Sequence, residues 1–162
     1  MDATLTRDHL ARLLDEENTA LAEFESLLER EHVALSSRDI DELEALADVR
    51  QASITRMLKL EDERRSVCSM NGYSTDLGGL ARLIAWCDPR RSLTPAYDEC
   101  STRARKCREL NDRNGVLVGA QMKRVEGLLA AICGTGPAPR EYGPRRGGAY
   151  TQAAGQVLSA EA

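Results

Sequence analysis

Between Cys100 and Ile132, apolar and small residues recur in alternating steps of three and four: Cys100, Ala104, Cys107, Asn111, Asn114, Val118, Gln121, Val125, Leu128 and Ile132. Such spacing keeps one side of a helix turned towards a neighbour. Two asparagines stand in the middle of this seam, where an ordinary core would place leucine. Asn114-Gly115 is also a turn signal that would cut the segment in two. The apolar phase passes through it without a slip, and a Gly inside a helix costs only about 1 kcal/mol relative to Ala. The pattern therefore predicts one unbroken helix. Polar seam residues lower stability and can set register and choice of partner. Bonding to neighbouring side chains in a bundle is the plainer role for at least one asparagine.

Near the start of the chain, Leu14, Leu21, Leu28 and Leu35 recur at heptad intervals. Leu10 and Phe24 fill the alternate positions, and Leu13, Ala20, Leu27 and Ala34 widen the stripe. This predicts an amphipathic helix over 6–35, about 45 Å long, with Thr6 as its cap. Glu17 and Glu31 interrupt the stripe and suggest a partly wet or imperfect bundle. Ser36-Ser37-Arg38 breaks the pattern, and Asp39 with Glu42 reads as a capping box. So short a connection folds a second helix, over 39–70, back beside the first as an antiparallel pair. Its apolar positions are Ile40, Leu43, Leu46, Ala47, Ile54, Met57, Leu58 and Val67, while Lys59 to Arg65 reads as a solvated charged face.

Asn71-Gly72 ends the second helix. Ser74 and Asp76 offer caps for a short third helix over 77–87, containing Leu80, Leu83, Ile84 and Trp86, the last expected as a core plug between helices, with a surface anchor for a partner as the alternative. Asp88-Pro89 closes it. Ser92 or Thr94 then caps a last long helix over 95–133, with Pro95 tolerated in its first turn. Past Cys133 the chain turns rich in Gly and Pro, with too little apolar surface to offset the entropy of ordering. The expected fold is all-α: an antiparallel bundle or helical hairpin of three long helices plus one short helix in residues 1–133, followed by a disordered tail over 134–162. In that tail Tyr142 sits in a basic context, as a docking point or as incidental spacer.

Composition narrows the function. Hydrophobic residues are 42% of 162 but aromatics only 4%, so the core is aliphatic and little is available to stack on bases. A net charge of −4 argues against nucleic-acid binding. Five cysteines, an odd number with no CxxC pair and no export signal before them, fit reduced thiols in a cytosol. Cys100 and Cys107 lie on the seam and read as small core residues. Glu29-x-x-His32 matches half of a di-iron bundle pattern, but no second copy exists and Glu29 lies off the leucine stripe, so both residues are expected in solvent. With His9 far from His32, no metal, cofactor or catalytic constellation is expected. No phosphate loop or GxSxG is present. No run approaches the roughly 18 apolar residues of a membrane span. Binding is the activity that remains.

The run Leu110-Asn111-Asp112-Arg113-Asn114-Gly115-Val116-Leu117, then Gln121, Leu128-Leu129 and a tail with Tyr142-Gly143-Pro144, resembles the FlgN family. Its specific part is residues 107–144, while the N-terminal half is generic helical sequence. The resemblance implies a cytoplasmic export chaperone of the bacterial flagellum. Its clients would be the hook–filament junction proteins, held before secretion by the C-terminal part of the chaperone. It also implies docking of Tyr142 and Gly143 to the cytoplasmic domain of the export gate.

The residues are consistent with that role. The last helix is apolar over a wider arc than one seam requires, so part of it could receive an amphipathic client helix. The client-binding set is Leu110, Asn111, Asn114, Leu117, Val118, Met122, Val125 and Leu129. Cover by the short helix, or pairing of two copies as a homodimer or structural coiled coil, would also account for the arc.

Overall fold

The structure, a computed structural model, describes residues 2–133. Every regular element in that span is helical: α1 (Ala3–Ser37), α2 (Ile40–Met70), α3 (Leu77–Cys87) and α4 (Thr94–Ile132). The chain divides into two units, Met1–Glu126 and Gly127–Ala162. The helical packing below belongs to the first. Of the second, only the end of α4 and Cys133 are described. The expected tail over 134–162, with Tyr142 and Gly143, lies outside the described residues.

Carboxylates set the helix starts. Asp2 caps α1, accepting from the N–H groups of Thr4 at 2.9 Å and Leu5 at 3.4 Å. Thr6, expected as the cap, lies inside the helix and bonds to the Asp2 carbonyl and to Asn71. A charged acceptor is the better partner for the positive end of a helix dipole than a hydroxyl. Arg38 ends α1 in the left-handed region, at φ 58°. Asp39 caps α2 through the N–H of Glu42 at 3.0 Å, while the Glu42 carboxylate turns to Arg30 at 2.7 Å. Asp76 caps α3 through the N–H of Gly79 at 2.6 Å. Neither Ser92 nor Thr94 caps α4. Instead Asp88, at the end of α3, accepts from the Leu93 N–H at 2.7 Å and the Ser92 hydroxyl at 2.8 Å.

Helices α1 and α2 run antiparallel. Contacts climb one as they descend the other, from Arg30–Glu42 through Glu31–Arg50 and Glu23–Arg56 to Glu17–Arg64 and Thr6–Asn71. Helix α4 lies parallel to α1. Cys100, Cys107, Asn114 and Gln121 reach the backbone carbonyls of Leu14, Leu21, Leu28 and Leu35, each separated by 86 residues in sequence. The short α3 makes this possible by carrying the chain across the lower end of the hairpin.

The core has two parts. Leu10, Leu13 and Leu14 meet Leu60 and Val67 of α2 and Leu80 and Leu83 of α3. Further along, Phe24, Leu27 and Leu28 meet Leu46 of α2 and Cys107 and Leu110 of α4. Burial of each such leucine contributes about 1.5–3 kcal/mol. The wide stripe on α1 is thus explained by neighbours on more than one side.

Three further sequence expectations change. Glu17 and Glu31 are not wet: Glu17 pairs with Arg64 at 3.1 Å and Glu31 with Arg50 at 2.6 Å. Burial still pushes the Glu17 carboxyl above its ordinary value, with Arg64 opposing the shift. The stretch from Lys59 to Arg65 is not wholly solvated, because Leu60 is core and Arg64 is largely covered. Trp86 is no core plug. It is 41% exposed and rests against Tyr73, with ring centroids 6.5 Å apart. Cys87, its neighbour, takes the inward position. Among the described residues, no helix is long and apolar enough to cross a membrane.

Candidate binding surface

The asparagines of the α4 seam belong to one polar network joining all three long helices. Asn114 is buried and donates through Nδ2 to the Leu28 carbonyl at 2.9 Å and towards Glu31 at 3.4 Å. Its Oδ1 is therefore free to accept, so His32 donates through Nδ1 at 3.1 Å. Arg50 of α2 then links Glu31 and Asn111, at 2.6 Å to each, with its guanidinium 5.7 Å from the centre of the Phe24 ring. Sequence spacing identified the asparagines but not their partners, which lie 61 to 86 residues away. Only the unexplained charge of Glu31 on an apolar stripe hinted at them.

The same seam carries thiols lower down. Cys100 and Cys107 point at carbonyls of Leu14 and Leu21. Burial raises both thiols, Cys100 to about 12. They serve as small packing groups rather than ligands or nucleophiles. The half-motif Glu29-x-x-His32 is also engaged elsewhere. Glu29 is exposed and pairs with Arg113 at 3.1 Å, whereas His32, expected in solvent, is half-buried against Asn114. Among the described residues, no three His, Cys, Asp or Glu side chains converge to hold a metal ion.

The predicted client-binding residues divide by position. Leu110 and Asn114 are buried inside the bundle, and Asn111, though exposed, is held by Arg50. Leu117 is half-buried beside a cleft of about 240 Å³ that Leu35, Arg38, Ala120 and Gln121 also line. Val118, Met122 and Val125 are exposed, at 42%, 60% and 54%. In the second unit Leu129 is exposed as well. Val116, which the periodicity does not single out, is 73% exposed.

The length of α1 explains the exposure of Val125. A constant offset of 86 sets the last residue of α1, Ser37, level with Lys123 of α4. Gln121 supplies the final tie by donating to the Leu35 carbonyl at 2.8 Å. That acceptor is orphaned at the helix end because the Asp39 N–H turns to Ala34. Val125 continues the seam where α1 has already ended. Apolar side chains at positions i, i+4 and i+7 then face outward, an arrangement suited to an apolar face of another helix.

Comparison with curated proteins and with solved structures gives no match. A family model described as FlgN protein matches residues 1–148. With nearly the whole chain inside that match, and an all-helical bundle beneath it, the chain belongs to the FlgN family of flagellar export chaperones.

Proposed function

We propose that this chain is a cytoplasmic type III flagellar export chaperone that binds hook–filament junction proteins before secretion and helps deliver them to the export gate. The observation that carries this reading is the exposed apolar run Val118, Met122 and Val125 on α4, at the level where α1 stops. A client's amphipathic helix would lay its apolar face along that run, with Leu117 at its edge. Leu110, Asn111 and Asn114 serve by holding α4 in register rather than by touching the client. Met122, unbranched and polarizable, suits a surface that accepts related helices. No cofactor is needed: masking an aggregation-prone client lowers the concentration of its free form by mass action. Tyr142 and Gly143 would supply the delivery contact with the cytoplasmic domain of the gate.

Binding of purified hook–filament junction proteins tests the surface. Met122→Asp, and Leu117→Asp together with Met122→Asp, should abolish capture while circular dichroism stays helical. Undiminished capture by both variants would show that the client binds elsewhere. Ending the chain after Cys133 should leave client affinity near wild type and remove gate binding. Equal gate affinity after truncation would remove Tyr142 and Gly143 from the mechanism. The same exposed run also fits a second copy of the chain. Sedimentation would reveal a tight dimer with no client affinity if the protein is a self-associating coiled coil.

A further inference from the structure

Among the described residues, no other helix covers the second face of α3. Leu80, Leu83 and Cys87 point into the core, and the opposite side carries Leu77, Ala81, Arg82, Ala85 and Trp86, all exposed. Only one of these is charged, in a chain that is 30% charged overall. At about 100° per residue, Leu77 and Trp86 stand on the two margins of that outward face. Met70, at the end of α2, is also exposed, so apolar surface extends beyond α3 itself. This region lies at the end of the bundle where α1 begins, whereas Val118 and Met122 lie towards the end where α1 stops.

The charges beside this face are arranged unevenly. Between Tyr73 and Leu93 they are Asp76, Arg82, Asp88, Arg90 and Arg91. Both aspartates are spent on the fold: Asp76 accepts from Gly79 and Ser74, and Asp88 from Leu93 and Ser92. Arg82 bonds the Ser74 hydroxyl, at 3.1 Å, and its charge helps to lower the Asp76 carboxyl. Arg90 and Arg91 are exposed on the turn that the Arg91 N–H closes onto the Asp88 carbonyl. Among the described residues, none of the three has a carboxylate within ion-pairing distance.

We infer that the outward face of α3 is a second docking surface, taking an acidic amphipathic helix of a partner protein, with apolar residues over Ala81 and Trp86 and carboxylates on Arg82, Arg90 and Arg91. Charge complementarity selects this occupant. A second copy presenting the same face would set three arginines against three arginines, and like charges across an interface are strongly disfavoured. Because this surface and the α4 surface occupy different levels of the bundle, both can be engaged at once. The inference stands whether or not α4 binds export clients.

Trp86 is the only tryptophan in the chain, so its emission reports directly on cover at this site. The probe is a synthetic amphipathic helical peptide with leucines on one face and glutamates on its flanks. Its control carries lysines in place of the glutamates. The acidic peptide should blue-shift Trp86 emission and bind at least about tenfold more tightly than the control, with affinity falling as salt is raised. Arg82→Glu, Arg90→Glu and Arg91→Glu combined should reverse the preference while the helical signal is kept. The Leu117→Asp, Met122→Asp chain should respond as wild type. Equal response to both peptides, no response, or loss of response in the α4 variant would each overturn the inference. So would a blue shift on concentrating the protein alone with a dimer in sedimentation, which would make a second copy the occupant.

Discussion

Asn114 of α4 donates a hydrogen bond to the backbone carbonyl of Leu28 in α1 at 2.9 Å. The bond repeats in kind one heptad above, from Gln121, and one and two heptads below, from the two thiols. An apolar seam alone tolerates sliding by a heptad, because each step presents another similar side chain. Asn114 does not, since Glu31 and His32 lie beside it only in this register. The polar seam thereby fixes how far α4 reaches past the end of α1, and with it how much apolar surface is left uncovered.

Asn114→Ala should lower the unfolding free energy by about 1–3 kcal/mol, the cost of leaving buried polar partners unsatisfied. Asn114→Asp should cost more, although it is nearly isosteric. It turns a donor into an acceptor facing the Leu28 carbonyl and the Glu31 carboxylate. Urea denaturation of the two variants decides the matter. An aspartate variant as stable as wild type would mean that the bond to Leu28 is not made.

Two arginines of α2 offer an internal comparison. Arg50 pairs with a largely buried Glu31, whose side chain is 11% exposed, and also holds Asn111. Arg56 pairs with Glu23 at the same 2.6 Å, but both are well exposed. Exposed pairs contribute about 0–1 kcal/mol, whereas removing the partner of a covered charge costs several-fold more. Arg50→Ala should therefore destabilise by about 2 kcal/mol and Arg56→Ala by less than about 0.5 kcal/mol. Equal shifts in the denaturation midpoint would contradict the difference in burial.

The thiols should separate cleanly by accessibility. Cys68, Cys87, Cys100 and Cys107 are buried and Cys133 is exposed. Burial also raises the four buried thiols, Cys100 to about 12, which suppresses the reactive thiolate. At pH 8 a disulfide reagent such as Ellman's should modify one thiol per folded chain rapidly and the other four only on unfolding. Rapid reaction of two or more in the native protein would mean that the core opens readily.

What the residues disclosed follows from what periodicity encodes. Leu14, Leu21, Leu28 and Leu35 mark α1 because a helical stripe is a local property, and α4 passes through Asn114-Gly115 because its phase is unbroken. Caps were less legible. Asp2 and Asp88 compete with nearby hydroxyls, and which oxygen wins depends on where the chain enters the helix. Glu17 and Glu31 showed as misplaced charges, but naming Arg64 and Arg50 required the antiparallel register of α2. Trp86 was misread because both faces of α3 are apolar, and composition cannot tell which turns inward. For α4 the stripe named Val118, Met122 and Val125. Their exposure depends on which sides of α4 the other helices leave open, and for Val125 on where α1 ends, which no local pattern in α4 contains.

Acid should weaken the α3 region first. The Gly79 N–H holds the Asp76 carboxyl below its ordinary value, and the Leu93 N–H does the same for Asp88. A depressed folded value means that the stabilisation is complete above the ordinary aspartate value of about 3.9 and is lost as pH falls through the depressed one. Glu17 acts with the opposite sign: its raised value means that protonation relieves a penalty as pH falls. Asp88→Asn should therefore be less stable than wild type at pH 6, and the gap should close as pH falls through the depressed value of the Asp88 carboxyl. A gap independent of pH in urea titrations would show that the Asp88 charge does not contribute.

Gly115 tests whether α4 stays continuous through Asn114-Gly115 in solution. An added Cβ there meets nothing within 4 Å, and the same holds at Gly119. Alanine in an unobstructed helical position restricts the unfolded chain and favours the helix by up to about 1 kcal/mol. Gly115→Ala should raise the urea midpoint by that margin, with Gly119→Ala adding a similar increment. A chain that bent at Asn114-Gly115 would behave otherwise, since alanine is strained in the left-handed conformation that such a turn requires. A lowered midpoint for Gly115→Ala beside a raised one for Gly119→Ala would place a turn at Gly115. It would also detach Val118, Met122 and Val125 from the register that Asn114 sets.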